Sequence, residues 1–167
     1  TAGNVTFNGT SGSGTGNNSI GVLLLGLSVN TEFSSINING NSLGTNVNSS
    51  AVVIDVDGSF IATSLSAREI QVNACTANDS ALNVNIANAT LYSNGGLISI
   101  NANSLEIGVD SAVNATTSGI VSILTKGLPI GLGGIDSNNV LGLSGNDISR
   151  MTAGNLNIGN STTPNLF

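Results

Sequence analysis

Leu91-Tyr-Ser-Asn-Gly-Gly-Leu-Ile-Ser-Ile-Asn-Ala-Asn-Ser-Leu-Glu-Ile-Gly-Val109 sets the reading of the whole chain. Leu97, Ile98, Ile100, Leu105, Ile107 and Val109 alternate with Ser, Asn, Glu and Gly, and small turn residues interrupt the run. Alternation with a period of two marks strands with one buried face. The same pattern recurs along the sequence. It predicts strands at 4–7, 20–24, 27–29, 35–38, 52–56, 60–61, 69–72, 82–86, 97–100, 105–109, 120–124, 130–132, 140–143 and 156–158. Asn-Gly, Asp-Gly, Ser-Gly and Gly-Gly fill the gaps. No long segment has a helical period. Residues 64–70 suit either a turn of helix or a corner, and residues 144–151 suit a short helical or irregular piece.

Many short strands with small turns hide their apolar side chains by stacking strand on strand. The expected fold is therefore all-β, a right-handed parallel β-helix or solenoid, with a β-sandwich as the alternative. A sandwich usually holds a few large core aromatics, whereas aromatic residues are 3% of this chain and Trp is absent. Strand-bearing units recur every 14 to 20 residues or so. At roughly 20 residues per coil, about eight coils would make a rod roughly 40 Å long, at about 4.8 Å per coil.

Composition narrows the function. Apolar residues are 40% of the 167, enough for a core of Val, Ile, Leu and Ala. Charged residues are 7%, against about 25% in ordinary soluble domains. Nine acids and three bases give a net charge of −6 with no basic patch, which argues against nucleic acid as a partner. Regular alternation argues against disorder despite the polar content. The apolar run 22–27 is too short to span a membrane, and nothing reads as a signal peptide. Residue 1 opens in mid-pattern, as a processed or excised start would. The single cysteine, Cys75, excludes an internal disulfide and reads as a small buried hydrophobe, with a lone reactive thiol as the sharper alternative.

A longer repeat is present. Thr1-Ala-Gly-Asn-Val-Thr-Phe-Asn-Gly-Thr10 aligns with Thr152-Ala-Gly-Asn-Leu-Asn-Ile-Gly-Asn-Ser161 at an offset of 151, and Leu-Gly-Leu-Ser occurs at both 25–28 and 141–144. The division that follows is residues 1–151 as one solenoid unit, with 152–167 as a terminal coil resembling the start of the next. Neither end carries an evident cap, and uncapped solenoid ends pair with one another. The partner expected first is a second copy, stacked head to tail. The candidate assembly residues are Thr1, Ala2, Gly3, Asn4, Val5 and Phe7 at one end and Leu156, Ile158, Leu166 and Phe167 at the other.

Ile130-Gly-Leu-Gly-Gly-Ile-Asp-Ser-Asn-Asn-Val-Leu-Gly-Leu-Ser144, followed by Arg150-Met-Thr-Ala-Gly-Asn-Leu-Asn-Ile-Gly159, resembles a module of filamentous-haemagglutinin-like giant bacterial surface adhesins. The resemblance covers about thirty residues. It implies a right-handed parallel β-helix, export to the cell surface or medium of a bacterium, and a structural or adhesive role. It brings no catalytic residue and no cofactor. The chain departs from it in being short and rich in Asn-x-Ser/Thr.

Other constellations are weaker. The chain has no His, which removes the usual hydrolytic triads and most zinc sites. Gly12-Ser-Gly-Thr-Gly16 lacks the Lys of a phosphate loop. Asp55 and Asp57 share one strand face and form the best acid pair. They are the candidates for an alternative function, a polysaccharide hydrolase or lyase; the simpler reading is two solvated acids before a turn. Asp79, Asp110 and Asp136 read as turn acids, and Arg150 as a corner residue bonding carbonyls, Asp136 or Asp147. Paired Asn residues on strand faces, at 37/39, 83/85, 101/103 and 155/157, predict amide ladders between rungs. Asn4, Asn8, Asn17, Asn48, Asn78, Asn88, Asn114 and Asn160 begin Asn-x-Ser/Thr sequons, candidate glycosylation sites in a secreted eukaryotic chain. An Asn/Ser/Thr face also suits passive adhesion to surface glycans. The overall expectation is a non-enzymatic, extracellular structural segment.

Overall fold

The computed structural model describes residues 3–15, 19–56, 63–77, 82–134, 136–137 and 139–159. The order of elements is β1 (Val5–Thr10), β2 (Ile20–Leu25), β3 (Ser28–Ser42), β4 (Ser50–Asp55), β5 (Thr63–Thr76), β6 (Leu82–Ile86), β7 (Ala89–Asn101), β8 (Leu105–Ile107), β9 (Ala112–Asn114), β10 (Ile120–Leu124), β11 (Ile130–Leu132), β12 (Leu141–Leu143), α1 (Gly145–Ser149), β13 (Met151–Thr152) and β14 (Asn155–Ile158). The fold is all-β. Every strand pair is parallel, and an isolated antiparallel bridge joins Ser137 and Val140. Parallel pairing departs from the hairpin-built sandwich expected as the alternative.

The chain alternates between sheets. The long sheet runs β1-β3-β5-β7-β10-β14, with β9 paired to β7 and β13 to β9; a short sheet runs β2-β4-β6-β8, and β11 pairs β12 in a third, two-stranded sheet. Partners are in register, so like residues pile into columns. Val5, Ile36, Ile70, Ile98, Val121 and Leu156 form one, and Phe7, Ile38, Val72, Ile100, Ile123 and Ile158 another. Val29, Leu65, Leu91, Val113 and Met151 make a third. The short sheet adds Val22, Val52, Val84 and Leu105, then Leu24, Ile54, Ile86 and Ile107. The inner members of these columns form one apolar core, with Val5, Phe7, Val29, Met151 and Ile158 partly buried against it and Leu156 exposed at the end. Burying each Ile or Leu is worth roughly 1.5–3 kcal/mol.

Neighbours in the first column are 31, 34, 28, 23 and 35 residues apart. Partners in the column are thus farther apart in sequence than the 20 residues expected for one coil. The main path of the long sheet has six strands, a stack of about 24 Å at about 4.8 Å per step, shorter than the rod expected.

Several expected strands change in extent. Residues 28–29 and 35–38 belong to a single strand, β3, and residues 64–70 are extended within β5 with no turn of helix. Residues 105–109 pair only through Ile107, β9 was not expected, and 60–61 lie outside the described residues. Where β3 approaches β4, Gly40 admits no side chain: a Cβ there would lie 2.1 Å from the Ala51 carbonyl oxygen.

Candidate functional site

The two larger sheets end differently. At β8 the edge of the short sheet is occupied by side chains. The Leu105 N–H donates to Asp136 Oδ2 at 3.0 Å, and the Ile107 N–H to Asp147 Oδ1 at 3.1 Å. The Ile107 carbonyl accepts from Arg150 Nη1 at 2.6 Å. These groups share one parity of the strand and would otherwise bond a following strand. The other side of β8 meets β6.

Local sequence builds this cap. Ser144 is the N-cap of α1; its hydroxyl accepts the Asp147 N–H, and Asp147 Oδ2 accepts the Ser144 N–H at 3.0 Å. The reciprocal pair starts the helix and aims Asp147 back at β8. Asp136 Oδ1 accepts the Gly142 N–H at 2.7 Å, so one carboxylate joins β8 to β12. Burial pushes the Asp136 carboxyl up from its ordinary 3.8 to about 6. The Gly142 and Leu105 N–H groups pull it back down, and the charges of Asp147 and Glu106 add to the rise. An open groove of about 600 Å³ lies over these residues. Asp136 and Asp147 in it are engaged by backbone donors, an arrangement that terminates a sheet. Among the described residues no group of three or more Asp, Glu, Cys or His could hold a metal ion. The expectation of uncapped ends is thus corrected at β8. The residues that carry the adhesin resemblance, Asp136, Ser144 and Arg150, are the cap and its anchor.

Among the described residues no strand lies on the outer side of β1 or β14. The Ser11 N–H turns inward to the Asn41 carbonyl, so by alternation the N–H groups of Thr6, Asn8 and Thr10 face out. On β14, Leu156 remains 38% exposed. The 151-residue sequence alignment pairs Val5 with Leu156 and Phe7 with Ile158. The strand register, followed through four intervening strands, places the same residues in the same columns.

No family model, curated protein or solved structure matches this chain. The functional reading therefore rests on its own residues.

Of the assembly candidates, Gly3, Asn4, Val5 and Phe7 lie on or beside β1, and Leu156 and Ile158 on β14, at opposite ends of one sheet. Thr1, Ala2, Leu166 and Phe167 lie outside the described residues. Among the sequons, Asn8 and Asn48 are exposed. Asn4 is exposed and accepts the Ser35 N–H at 3.2 Å. Asn88 commits its Nδ2, the atom a glycan would take, to Asp55 at 3.2 Å, and Asn114 Oδ1 accepts the Thr116 N–H at 2.8 Å. Asn17, Asn78 and Asn160 lie outside the described residues. So does Asp57, while Asp55 accepts from the Val56 N–H and Asn88. Cys75 is exposed, a correction: Ala74 takes the inward position and alternation turns Cys75 out.

One Asn ladder is present among the described residues, but of the eight expected residues only Asn39 is bonded in it, and its partners Asn8 and Asn73 were not expected. Asn39 Nδ2 donates to Asn8 Oδ1 at 2.8 Å, and Asn73 Nδ2 to Asn39 Oδ1 at 3.1 Å. Asn101 is next in the column, followed by Leu124. The ladder stops there, leaving the buried Asn101 Oδ1 without a hydrogen bond.

Proposed function

We propose that the chain is a right-handed β-solenoid segment of an extracellular fibre or adhesin, non-enzymatic, and that copies or successive units stack end to end. The carrying observation is the coincidence of the 151-residue repeat with the column register. If β14 of one copy pairs with β1 of the next, Leu156 meets Val5 and Ile158 meets Phe7, and both columns continue. Residues 1–151 are then one unit, and 152–167 a terminal coil, resembling the start of a following unit, on which the next copy sits. Sealing β8 while leaving β1 and β14 open favours this joint over lateral pairing. A surface low in charge offers little repulsion to oppose it. The resemblance to filamentous-haemagglutinin-like adhesins supports a place on or outside a bacterial cell.

Negative-stain electron microscopy at micromolar concentration tests the reading. Rods that lengthen with concentration are expected, and Thr6→Pro, which removes an outward N–H from the β1 edge, returns them to single particles. Single particles of the unsubstituted chain at every concentration would refute it.

A further inference from the structure

The bend in the long sheet forms a groove that stacking does not use. Between the pairs Thr31/Ala67 and Ser35/Glu69, β3 carries three residues where β5 carries only Arg68. Between Ala67/Ser93 and Glu69/Leu97, β7 also carries three against that one. At this point β5 lies between two bulged neighbours, so Arg68 sits in a trough. The β3 bulge throws Phe33 outward, 75% exposed. On the other wall Gly96 lies so close that a Cβ would be 1.8 Å from the Arg68 carbonyl oxygen. That carbonyl is held by the Ser93 hydroxyl at 2.7 Å. The groove, about 550 Å³, runs across the strands from Asn4 to Ile120. Five strands at about 4.8 Å spacing make it about 19 Å long, parallel to the stacking direction.

We infer that this groove binds a neutral, linear polysaccharide. A sugar ring offers one apolar C–H face and a rim of hydroxyls, and the groove offers matching groups. Phe33 is an exposed flat plate for the apolar face. Arg68 is an exposed donor, and Glu69 an acceptor whose Oε1 is oriented by Gln71 Nε2 at 2.7 Å. Neighbouring donor and acceptor suit a vicinal hydroxyl pair. A net charge of −6 and Glu69 inside the groove disfavour an anionic polymer. The inference deepens the adhesin reading by naming its ligand class, and it does not require the end-to-end joint.

Affinity electrophoresis tests it, with hydroxyethylcellulose, galactomannan, xyloglucan and dextran as neutral probes and alginate and heparin as acidic ones. The unsubstituted chain and the Thr6→Pro variant are run in parallel, so loss of stacking and loss of binding are read separately. Retardation by at least one neutral polysaccharide is expected, with affinity falling tenfold or more in Phe33→Ala and in Arg68→Gln. Both side chains are exposed, and an unchanged far-ultraviolet circular dichroism spectrum verifies the fold. No retardation by any neutral probe, binding to the acidic probes alone, or binding that survives both substitutions would overturn the inference.

Discussion

Asp147 accepts the Ile107 backbone N–H across forty residues of sequence and stands where the next strand would be. Its other oxygen holds the Ser144 N–H that opens α1. Asp147→Ala leaves both donors without that acceptor and removes the capping box. A loss of about 3 kcal/mol in unfolding free energy is expected, combining a cap with a buried donor. Urea denaturation measures it, and a change under about 0.5 kcal/mol would contradict the role.

Asp136 gives the cap a pH dependence. Its carboxyl is raised to about 6 in the folded chain, against an ordinary 3.8. Between those values the folded state keeps a proton that the unfolded state has released. The contribution of Asp136 is therefore full below pH 4 and is lost as pH rises through 6. Stability measured at intervals from pH 4 to 7, minus that of Asp136→Asn, should fall across the window. A difference curve that is flat or rises would contradict it.

The broken Asn ladder predicts a repair. Leu124 is the register partner of Asn101, whose Oδ1 is buried and unbonded. Leu124→Asn supplies an amide donor and should be more stable than Leu124→Ala by about 1 kcal/mol. Asn39→Ala removes the two amide bonds that Asn39 makes, and should cost about 1 kcal/mol because the ladder is half-exposed. Thermal denaturation of the variants checks both. Equal stability of the two Leu124 variants would remove the ladder as a stabilising device.

Two glycines respond oppositely. Gly96→Ala forces a methyl against the Arg68 carbonyl and should cost about 3 kcal/mol, because backbone has to move. Gly145, in α1, has nothing within 4 Å of its Cβ position, and Gly145→Ala should gain about 0.5–1 kcal/mol. Denaturation midpoints measure both, and a tolerated Gly96→Ala would dismiss the tight bend.

Alternation made the strands legible, and the bends explain where it failed. Before each bend the inward positions are odd, as with Leu65 and Ala67 or Leu91 and Ser93. After it they are even, as with Ile70 and Val72 or Ile98 and Ile100. The bulge shifts the phase, so one long strand reads as two short ones. The same phase decides Cys75, which follows the inward Ala74. Residues 144–151 read as either a short helix or an irregular piece, and the capping box of Ser144 and Asp147 settles it as a helix at 145–149. The β8 cap was not. Arg150 was readable as a corner residue, but its target, the Ile107 carbonyl, is fixed only when the chain has stacked. The groove at Arg68 was equally hidden, since it arises from unequal residue counts on adjacent strands.

The stacking joint itself is tested most directly by a cysteine pair across it. Thr6 and Asn157 share a column through Asn37, Gln71, Ser99 and Ser122, and both are exposed. In a Cys75→Ser background, Thr6→Cys with Asn157→Cys places two thiols on adjacent strands of successive copies, within disulfide reach. Mild oxidation should give a ladder of covalent multimers on a non-reducing gel. The out-of-register pair, Thr6→Cys with Asn155→Cys, should give little. Monomer from both pairs, or equal ladders from both, would contradict the in-register joint.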